Sequence, residues 1–207
     1  FGFYLNNQVK CNSESPWTLY PGLRFDYFST IKDWTVSPRM AIRYQYTPTL
    51  AFLTAGGIYT QPPEAQYSSA SYGNPNVSHS TAYHLTLKAE KDLSEELSKG
   101  SEFTTGVFAR WFKNLIIPDT TSRYANLGLG RAFGFENSLN YQFNPWYIYA
   151  AYTLSRSTRS DPKQSEYLYQ YDQTHFLTLI AAVDLPRKWR ISTRFRYVTG
   201  ALTTIPT

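Results

Sequence analysis

Apolar and polar residues alternate along most of this chain with a period of two, which places successive side chains on opposite faces of an extended strand. The alternation is clearest near the end of the chain, where an apolar row interleaves with a basic one: Trp189, Ile191, Phe195 and Tyr197 against Arg190, Ser192, Arg194 and Arg196. Helical periodicity is almost absent. The most helix-like stretch, Glu90–Lys99, is polar all round and is predicted to be a turn.

Similar segments of roughly 9–11 residues, long enough to cross a bilayer at a tilt, recur throughout the chain. About ten can be placed, counting a weaker first run at Phe1–Val9. The others begin near Leu23, Met40, Leu50, Tyr83, Phe103, Phe133, Trp146, Leu177 and Trp189. The pattern therefore predicts an all-β, antiparallel chain.

Short and long connections between these segments alternate strictly. The short ones lie near Lys10–Pro16, Thr47–Thr49, Leu93–Gly100, Asn144-Pro145 and Leu185–Lys188. The long ones lie near Ser29–Pro38, Gln61–His79, Lys113–Gly130 and Ser157–Thr174, and Thr199 onward begins another. Short turns at one end and long loops at the other are typical of a transmembrane β-barrel of the bacterial outer membrane. By this parity both chain ends lie outside, so we expect a middle portion of a larger barrel.

The composition fits a barrel wall. Aromatic residues make up 17% of the chain, with 18 Tyr, 13 Phe and 5 Trp, yet the mean hydropathy is −0.42. All five tryptophans lie near predicted strand ends, as in an interfacial aromatic belt: Trp17, Trp34, Trp111, Trp146 and Trp189. A soluble carbohydrate-binding β-sandwich would also account for the aromatic content.

Charge and motifs exclude several functions. The net charge is +5 but the basic residues are scattered, so we expect no nucleic-acid partner. Cys11 is the one cysteine, no apolar run is long enough for a membrane helix, and residues 1–20 lack a signal sequence, so we expect a mature chain or a fragment. No phosphate loop, hydrolase elbow or zinc signature occurs, and the three histidines are too far apart to define a metal site. We predict no cofactor.

Polar rows of the strands would line the lumen of such a barrel. They could contact an anionic ligand, since arginine pairs well with carboxylate or phosphate. We favour charge pairing within the wall or with a domain that fills the lumen. The predicted lumen-facing residues are Arg110, Glu136, Asn140, Arg190, Arg194 and Arg196.

Several phrases, in one order over most of residues 20–207, resemble the barrel of TonB-dependent outer-membrane receptors. They are Ser37-Pro38-Arg39, Thr54–Glu64, Asn74–Leu87, Asn114-Leu115-Ile116, Gly134-Phe135-Glu136, Tyr152–Arg159, Tyr171–His175 and Arg194–Pro206. The stretch Asn74–His79 departs from the family's pattern because it lacks the glutamate. The resemblance implies a barrel of about 22 strands of which residues 1–207 form a partial barrel domain, without the plug, the energy-coupling box or the C-terminal aromatic strand.

The resemblance also implies a function. The family captures a scarce solute in its outer loops, and TonB, the energy-coupling protein, then rearranges the plug to release it inward. A ferric siderophore or similar iron complex is the default solute, while haem, cobalamin and glycans stay open. Besides this small molecule, the implied partners are outer-membrane lipid, the plug and TonB. Ligand residues are expected on the outer loops, unless they form an interfacial belt: Tyr67, Tyr72, Arg123, Tyr124, Tyr167, Tyr169, Tyr171 and His175.

Two other outer-membrane functions remain possible from the sequence. A ten-stranded protease of the omptin type would use Asp172 and His175 at the barrel mouth, although their spacing differs from that family's pattern. A passive porin would share the barrel without a plug. We expect a transporter and not an enzyme.

Overall fold

The computed structural model describes residues 1–10, 12 and 14–200. They form one antiparallel sheet in which ten strands lie side by side in chain order, with the short β2 and β10 attached to β3 and β9. The strands are β1 Gly2–Asn6, β2 Val9–Lys10, β3 Trp17–Phe28, β4 Asp33–Thr47, β5 Leu50–Gln61, β6 Ser80–Asp92, β7 Glu102–Asp119, β8 Arg123–Phe143, β9 Trp146–Asp161, β10 Gln164–Leu168, β11 His175–Leu185 and β12 Trp189–Val198.

The prediction of about ten antiparallel strands is confirmed. Two short helical segments interrupt them, α1 at Ala65–Ser68 and a 3₁₀ turn at Pro186–Lys188. Within the described part of the chain, no helix is long and apolar enough to cross a membrane. The sheet is open, because no pairing joins β1 to β12 among the residues that the structure describes.

The register separates the side chains into two rows. Directly paired residues share a face, so Leu87, Val107, Phe135 and Leu154 form one line across four strands. This outward row is rich in exposed large apolar side chains, and Ile191 and Phe195 on β12 are 59% and 55% exposed. Among the described residues, Ala51 and Val77 are the buried apolar ones. A soluble sandwich would bury its apolar face, whereas a membrane wall presents it to lipid.

The inner turns agree with the prediction. Asn144-Pro145 joins β8 to β9, and Pro186–Lys188 joins β11 to β12. At the other end, the connection between β5 and β6 is long as predicted, because only the four-residue helix α1 interrupts residues 62–79.

The prediction that the other outer connections are long irregular loops is wrong, because much of each one is β-strand. The stretch Lys113–Gly130 is mostly strand, since β7 continues to Asp119 and β8 begins at Arg123. Residues Ser157–Thr174 likewise contain the end of β9 and all of β10, and β4 already begins at Asp33. Isoleucine and tyrosine in these stretches favour extended backbone, so the hairpins keep pairing beyond the membrane. A bulge in β7 made this extension hard to predict from the sequence. The β7–β8 register shifts after Phe112, and Asn114 in the shifted segment has a φ of 56°.

Residues 201–207 lie outside the described part. The end of the Arg194–Pro206 phrase and the outer loop predicted from Thr199 fall largely there, and those interpretations stay predictions.

Candidate ligand site at the outer end of the sheet

Three outer connections surround a cleft of about 900 Å³. They are the β5–β6 connection, residues 62–79, the projecting β7–β8 hairpin, and the β9–β10 hairpin. Side chains from all three line the cleft: Gln61, Pro62, Glu64, Tyr67, Leu115, Ile117, Arg159, Tyr167 and Tyr169. A concave site built on projecting hairpins has a rigid frame, because each hairpin continues a strand of the wall.

Side-chain hydrogen bonds to backbone groups hold the β5–β6 connection against the β7–β8 hairpin. The Ser78 N–H donates to Asn126 Oδ1 at 2.8 Å, and Asn126 Nδ2 donates to the Ser78 carbonyl at 3.0 Å. Asn74 Nδ2 donates to the Tyr124 carbonyl at 2.7 Å. The rings of Tyr67 and Tyr124 meet edge to face, with centroids 4.9 Å apart. Together these contacts hold one wall of the cleft against the next.

Arg159 occupies the cleft floor on the inward row of β9. Its guanidinium lies over the ring of Tyr169, 3.9 Å from the centroid, and over Phe112 at 4.8 Å. Gly130 faces it on β8, and a Cβ there would come within 2.8 Å of Arg159 Cδ and Nη1. The missing side chain therefore provides the room in which the guanidinium lies over both rings.

The charge of Arg159 has no carboxylate partner within the described residues. Nη1 donates to Ser157 Oγ at 3.1 Å and to the Thr158 carbonyl at 3.0 Å, both on its own strand, and no salt bridge to it occurs there. An arginine held by aromatic rings, without a carboxylate partner, is suited to bind an anionic group.

Tyrosines border this cation. Burial raises the pKa of Tyr167 on β10, and a hydrogen bond to Asp161 adds to the shift, so the phenol stays a neutral hydrogen-bond donor. Tyr171 meets Tyr169 edge to face at 5.4 Å and is 67% exposed. The rings supply flat apolar surface beside the charge, an arrangement that can stack on aromatic ligand groups.

The structure brings together part of the predicted ligand set. Tyr67, Tyr167 and Tyr169 line the cleft, and Tyr171 adjoins it through Tyr169. Tyr72 is 82% exposed and projects from the β5–β6 connection. Arg123 donates to the Ser71 carbonyl, so it and Tyr124 fasten that connection. The ligand roles of these residues stay predictions.

His175 lies on the other side of the wall. It pairs with Leu154, on the outward row, and its Nδ1 lies 2.8 Å from the Tyr152 hydroxyl. Sequence reasoning missed the cleft residues Arg159, Gln61 and Glu64, and also Phe112, whose ring contacts Arg159. Arg159 could have been found by continuing the alternation of β9 past Ser157, where the strand was predicted to end.

All six predicted lumen residues lie on the inward row by register. Two pair within the wall, as favoured from the sequence: Glu136 with Lys88 at 2.7 Å, and Arg190 with Asp184 at 2.6 Å. Arg110 and Arg196 lie over the rings of Phe108 and Phe176. Arg194 forms no salt bridge among the described residues, and Asn140 has a buried Oδ1 without a partner there.

Asp172 stabilises the junction between neighbouring strands through hydrogen bonds. Its carboxylate accepts a hydrogen bond from the Ser157 N–H and another from the Thr174 hydroxyl at 3.1 Å, and the residue is 6% exposed. The contact bridges the gap in the ladder of β9 where β10 leaves and β11 begins. A carboxylate buried in this way is not open to a substrate, and His175 points to the opposite side.

Within the described chain, no three His, Cys, Asp or Glu side chains are grouped so that they could hold a metal ion.

The family model described as TonB dependent receptor-like, beta-barrel, matches residues 1–205. This chain belongs to the TonB-dependent receptor family. The antiparallel transmembrane barrel predicted from the sequence is thereby confirmed, and so is its location in the bacterial outer membrane. A comparison with curated proteins gives no match.

Solved receptors share the fold. The alcaligin outer-membrane receptor FauA of Bordetella pertussis has a TM-score of 0.68 and 16% identity, over 96% of this chain and 37% of its own. The siderophore receptor PirA of Pseudomonas aeruginosa gives 0.68 and 18%, over 94% and 36%. The ferric-catecholate import receptor Fiu of Escherichia coli K12 gives 0.74 and 12%, over 95% and 34%. The chain therefore spans about a third of these receptors, which share its fold at low identity.

Proposed function

We propose that the receptor containing this chain takes up a ferric siderophore, or a similar anionic iron complex, across the outer membrane. The uptake is coupled to energy through TonB, and the residues of this chain form part of the outer capture site and part of the barrel wall. A plug domain is the partner that the inward polar row would face.

The observation that carries the proposal is the arginine at the floor of the outer cleft. Arg159 offers a positive charge between two aromatic rings, with no carboxylate to neutralise it among the described residues. Ferric complexes of catecholate and carboxylate chelators combine net negative charge with flat organic groups. A guanidinium beside tyrosine rings matches both features.

The structural relatives support the same solute class. They include an alcaligin receptor, a siderophore receptor, a ferric-catecholate import receptor and a receptor bound to pyoverdine. A protease is disfavoured here because Asp172 closes the β-ladder.

Uptake of radioactive iron in a strain lacking the gene tests the proposed function. Two strains are compared: the deletion strain that expresses the complete receptor, and the same strain without TonB. Each is given a panel of ferric catecholate, hydroxamate and carboxylate complexes. We expect receptor-dependent uptake of at least one complex that requires TonB. Uptake that is independent of TonB would indicate a passive porin, and growth dependence on haem, cobalamin or an oligosaccharide alone would overturn the iron assignment.

Binding by purified receptor then tests the site itself. Replacing Arg159 by Gln should weaken binding of the transported complex by about 10- to 100-fold, since a hydrogen bond to a charged group contributes roughly 1.5–3 kcal/mol. Arg194→Gln is the matched control, because Arg194 lies inward on β12, away from the cleft. Equal losses in both variants, or none in either, would exclude Arg159 as the anion contact.

A further inference from the structure

Two opposite charges line the outer cleft without neutralising each other. Glu64, on the β5–β6 connection, and Arg159, on β9, are the charged side chains among the described residues of the lining. Neither forms a salt bridge in the part of the chain that the structure describes. The two charges belong to different walls of the cleft, so a ligand between these walls meets both of them.

The backbone of Glu64 is held at the edge of the cleft. β5 ends at Gln61, and Pro62-Pro63, whose rings restrict the backbone, lead directly to Glu64. The Glu64 carbonyl then accepts hydrogen bonds from the N–H groups of Tyr67 and Ser68, at 3.0 and 3.3 Å. The end of β5 therefore sets where this side chain begins, although the residue belongs to a long connection.

The Glu64 carboxylate does not cap the helix that follows it. α1 begins at Ala65 with Glu64 at its N-cap, but the Glu64 side chain makes no capping hydrogen bond. Instead, Glu64 Oε2 accepts a hydrogen bond from Gln66 Nε2 at 2.9 Å. Because an amide is neutral, this contact orients the carboxylate and leaves its charge uncompensated. Glu64 is exposed, so a ligand in the cleft can reach it.

A carboxylate on one wall opposes the binding of anions at another wall of the same cleft. A ligand that is negative throughout is attracted by Arg159 and repelled by Glu64. A ligand that has a protonated amine as well as an anionic part is attracted by both residues. Its ammonium group can donate a charge-assisted hydrogen bond to the carboxylate, and the neighbouring tyrosine rings also favour a cation.

We propose that Glu64 makes the cleft selective for iron complexes that carry a protonated amine beside their anionic chelating groups. The ammonium group binds Glu64 while the anionic groups bind Arg159. Complexes of the same size without the amine bind more weakly. Glu64 thus determines specificity, and Arg159 supplies affinity that both kinds of complex share. This selectivity rests on the proposed uptake function and narrows its substrate to one class of iron complex.

Two matched pairs of ferric complexes test this selectivity. One pair is built on a tris-catechol chelator and the other on a polycarboxylate chelator. In each pair one member has a free primary amine on its backbone, and in the other member that amine is acetylated. Dissociation constants are measured with the purified complete receptor at about pH 7, where a primary amine is protonated.

In at least one pair we expect the wild type to bind the amine form about fivefold more tightly, which is the upper end for an exposed ion pair. Glu64→Gln should make the two dissociation constants of that pair equal, while it keeps an oxygen acceptor for Gln66. Heat-modifiable migration of the folded barrel confirms that the variant has assembled.

Arg159→Gln and Glu166→Gln are the comparisons. Arg159→Gln should weaken both members of a pair by the same factor and keep the preference for the amine. Glu166→Gln removes an equal charge from the neighbouring β10, but the Glu166 carboxylate lies outside the cleft lining and already pairs with Arg131. It should bind both members like the wild type.

The proposal would be overturned if the wild type prefers the amine in neither pair, or if the preference survives in Glu64→Gln. The proposed uptake function would still stand in that case, because the uptake assay does not depend on the amine. If no ferric complex is taken up through TonB, both the uptake function and the selectivity fail.

Discussion

Lys88 and Glu136 form an ion pair, 2.7 Å from Nζ to Oε1, although a whole strand separates them. Lys88 lies on β6 and Glu136 on β8, and both pair with Gly106 of β7. Because Gly106 has no side chain, the two long side chains meet over its backbone. A Cβ at Gly106 would lie 2.7 Å from Lys88 Cγ and 2.7 Å from the Leu87 carbonyl oxygen.

Gly106→Ala should therefore destabilise the barrel. The added methyl meets backbone as well as the Lys88 side chain, so relaxation of one side chain cannot remove the overlap. We expect a loss of about 1–3 kcal/mol in the free energy of unfolding, the usual cost of overpacking. Urea unfolding of the refolded complete receptor measures it.

Gly56→Ala is the matched control for this change. Gly56 lies in β5, two strands from β7, but a Cβ there would meet its nearest atom, the His84 carbonyl oxygen, at 3.5 Å, an ordinary contact. It should leave the unfolding midpoint nearly unchanged. If both variants unfold alike, the close approach at Gly106 does not stabilise the wall.

Asn126→Ala should release the β5–β6 connection from the β7–β8 hairpin. Asn126 makes both hydrogen bonds to Ser78 and a third to the Asn114 carbonyl at 2.8 Å. Without them, residues 62–79 gain access to proteases, and we expect faster cleavage there in limited proteolysis. Asn76→Ala is the control, since Asn76 is exposed on the same connection. Cleavage at the same rate in both variants would show that Asn126 is not the fastening.

The strands of the wall were predictable because alternation reports directly which face is lipid and which is lumen. The apolar row of Trp189, Ile191 and Phe195 could be recognised from the sequence because only one side of the strand faces lipid and is apolar. The outer hairpins were not predictable for the converse reason. Beyond the membrane both faces meet water, so Lys113–Gly130 loses the alternation while it keeps the pairing.

Contacts between distant residues were also hidden. The Lys88–Glu136 pair requires knowing that Gly106 lies between the two charges, and this depends on the register of three strands. Arg159 and Phe112 likewise meet because both pair with Gly130, which has no side chain to separate them. The sequence indicated aromatic loops, but it could not indicate which ring would cover which cation.

Asp172→Ala should open the junction between β9, β10 and β11. Removal of the carboxylate leaves the Ser157 N–H without its acceptor in a partly buried position, at a cost of about 1–3 kcal/mol. We expect faster hydrogen exchange of the Ser157 amide and of its neighbours.

Asp172→Asn separates this structural role from catalysis. Asparagine keeps an oxygen acceptor for the Ser157 N–H, and the Thr174 hydroxyl can turn to accept from the new amide. Exchange at Ser157 should therefore stay near the wild-type rate. An Asn variant that exchanges as fast as the Ala variant would contradict the hydrogen-bond account, and peptidase activity that Asn abolishes would revive the protease.

The tip of the β7–β8 hairpin should loosen in acid. The pKa of Asp119 lies below its ordinary value of 3.8, first because the Ser122 hydroxyl donates to the carboxylate and then because the Ser122 N–H does. A lowered pKa in the folded state means that the contribution to stability is present above pH 3.8 and is lost as the pH falls through the folded value. Exchange of the Thr121 and Ser122 amides should accelerate over that range. Asp119→Asn should remove the pH dependence, and a wild-type tip with flat exchange would contradict it.

Gly130→Ala should weaken ligand binding while the wall stays folded. The new methyl would lie 2.8 Å from Cδ and Nη1 of Arg159. These are atoms of a flexible side chain, so Arg159 moves and the strands do not. Once displaced, the guanidinium leaves the face of Tyr169 and no longer points its donors into the cleft. We expect affinity for the transported iron complex to fall by about 2- to 5-fold, since cation–π stacking contributes roughly 0.5–1 kcal/mol at partly exposed sites. Tryptophan fluorescence quenching gives the dissociation constants.

The double variant Gly130→Ala/Arg159→Gln should bind as weakly as Arg159→Gln alone, because both changes act through the same guanidinium. Additive losses would mean that Gly130 contacts the ligand itself, and Arg159 would then not be its intermediary.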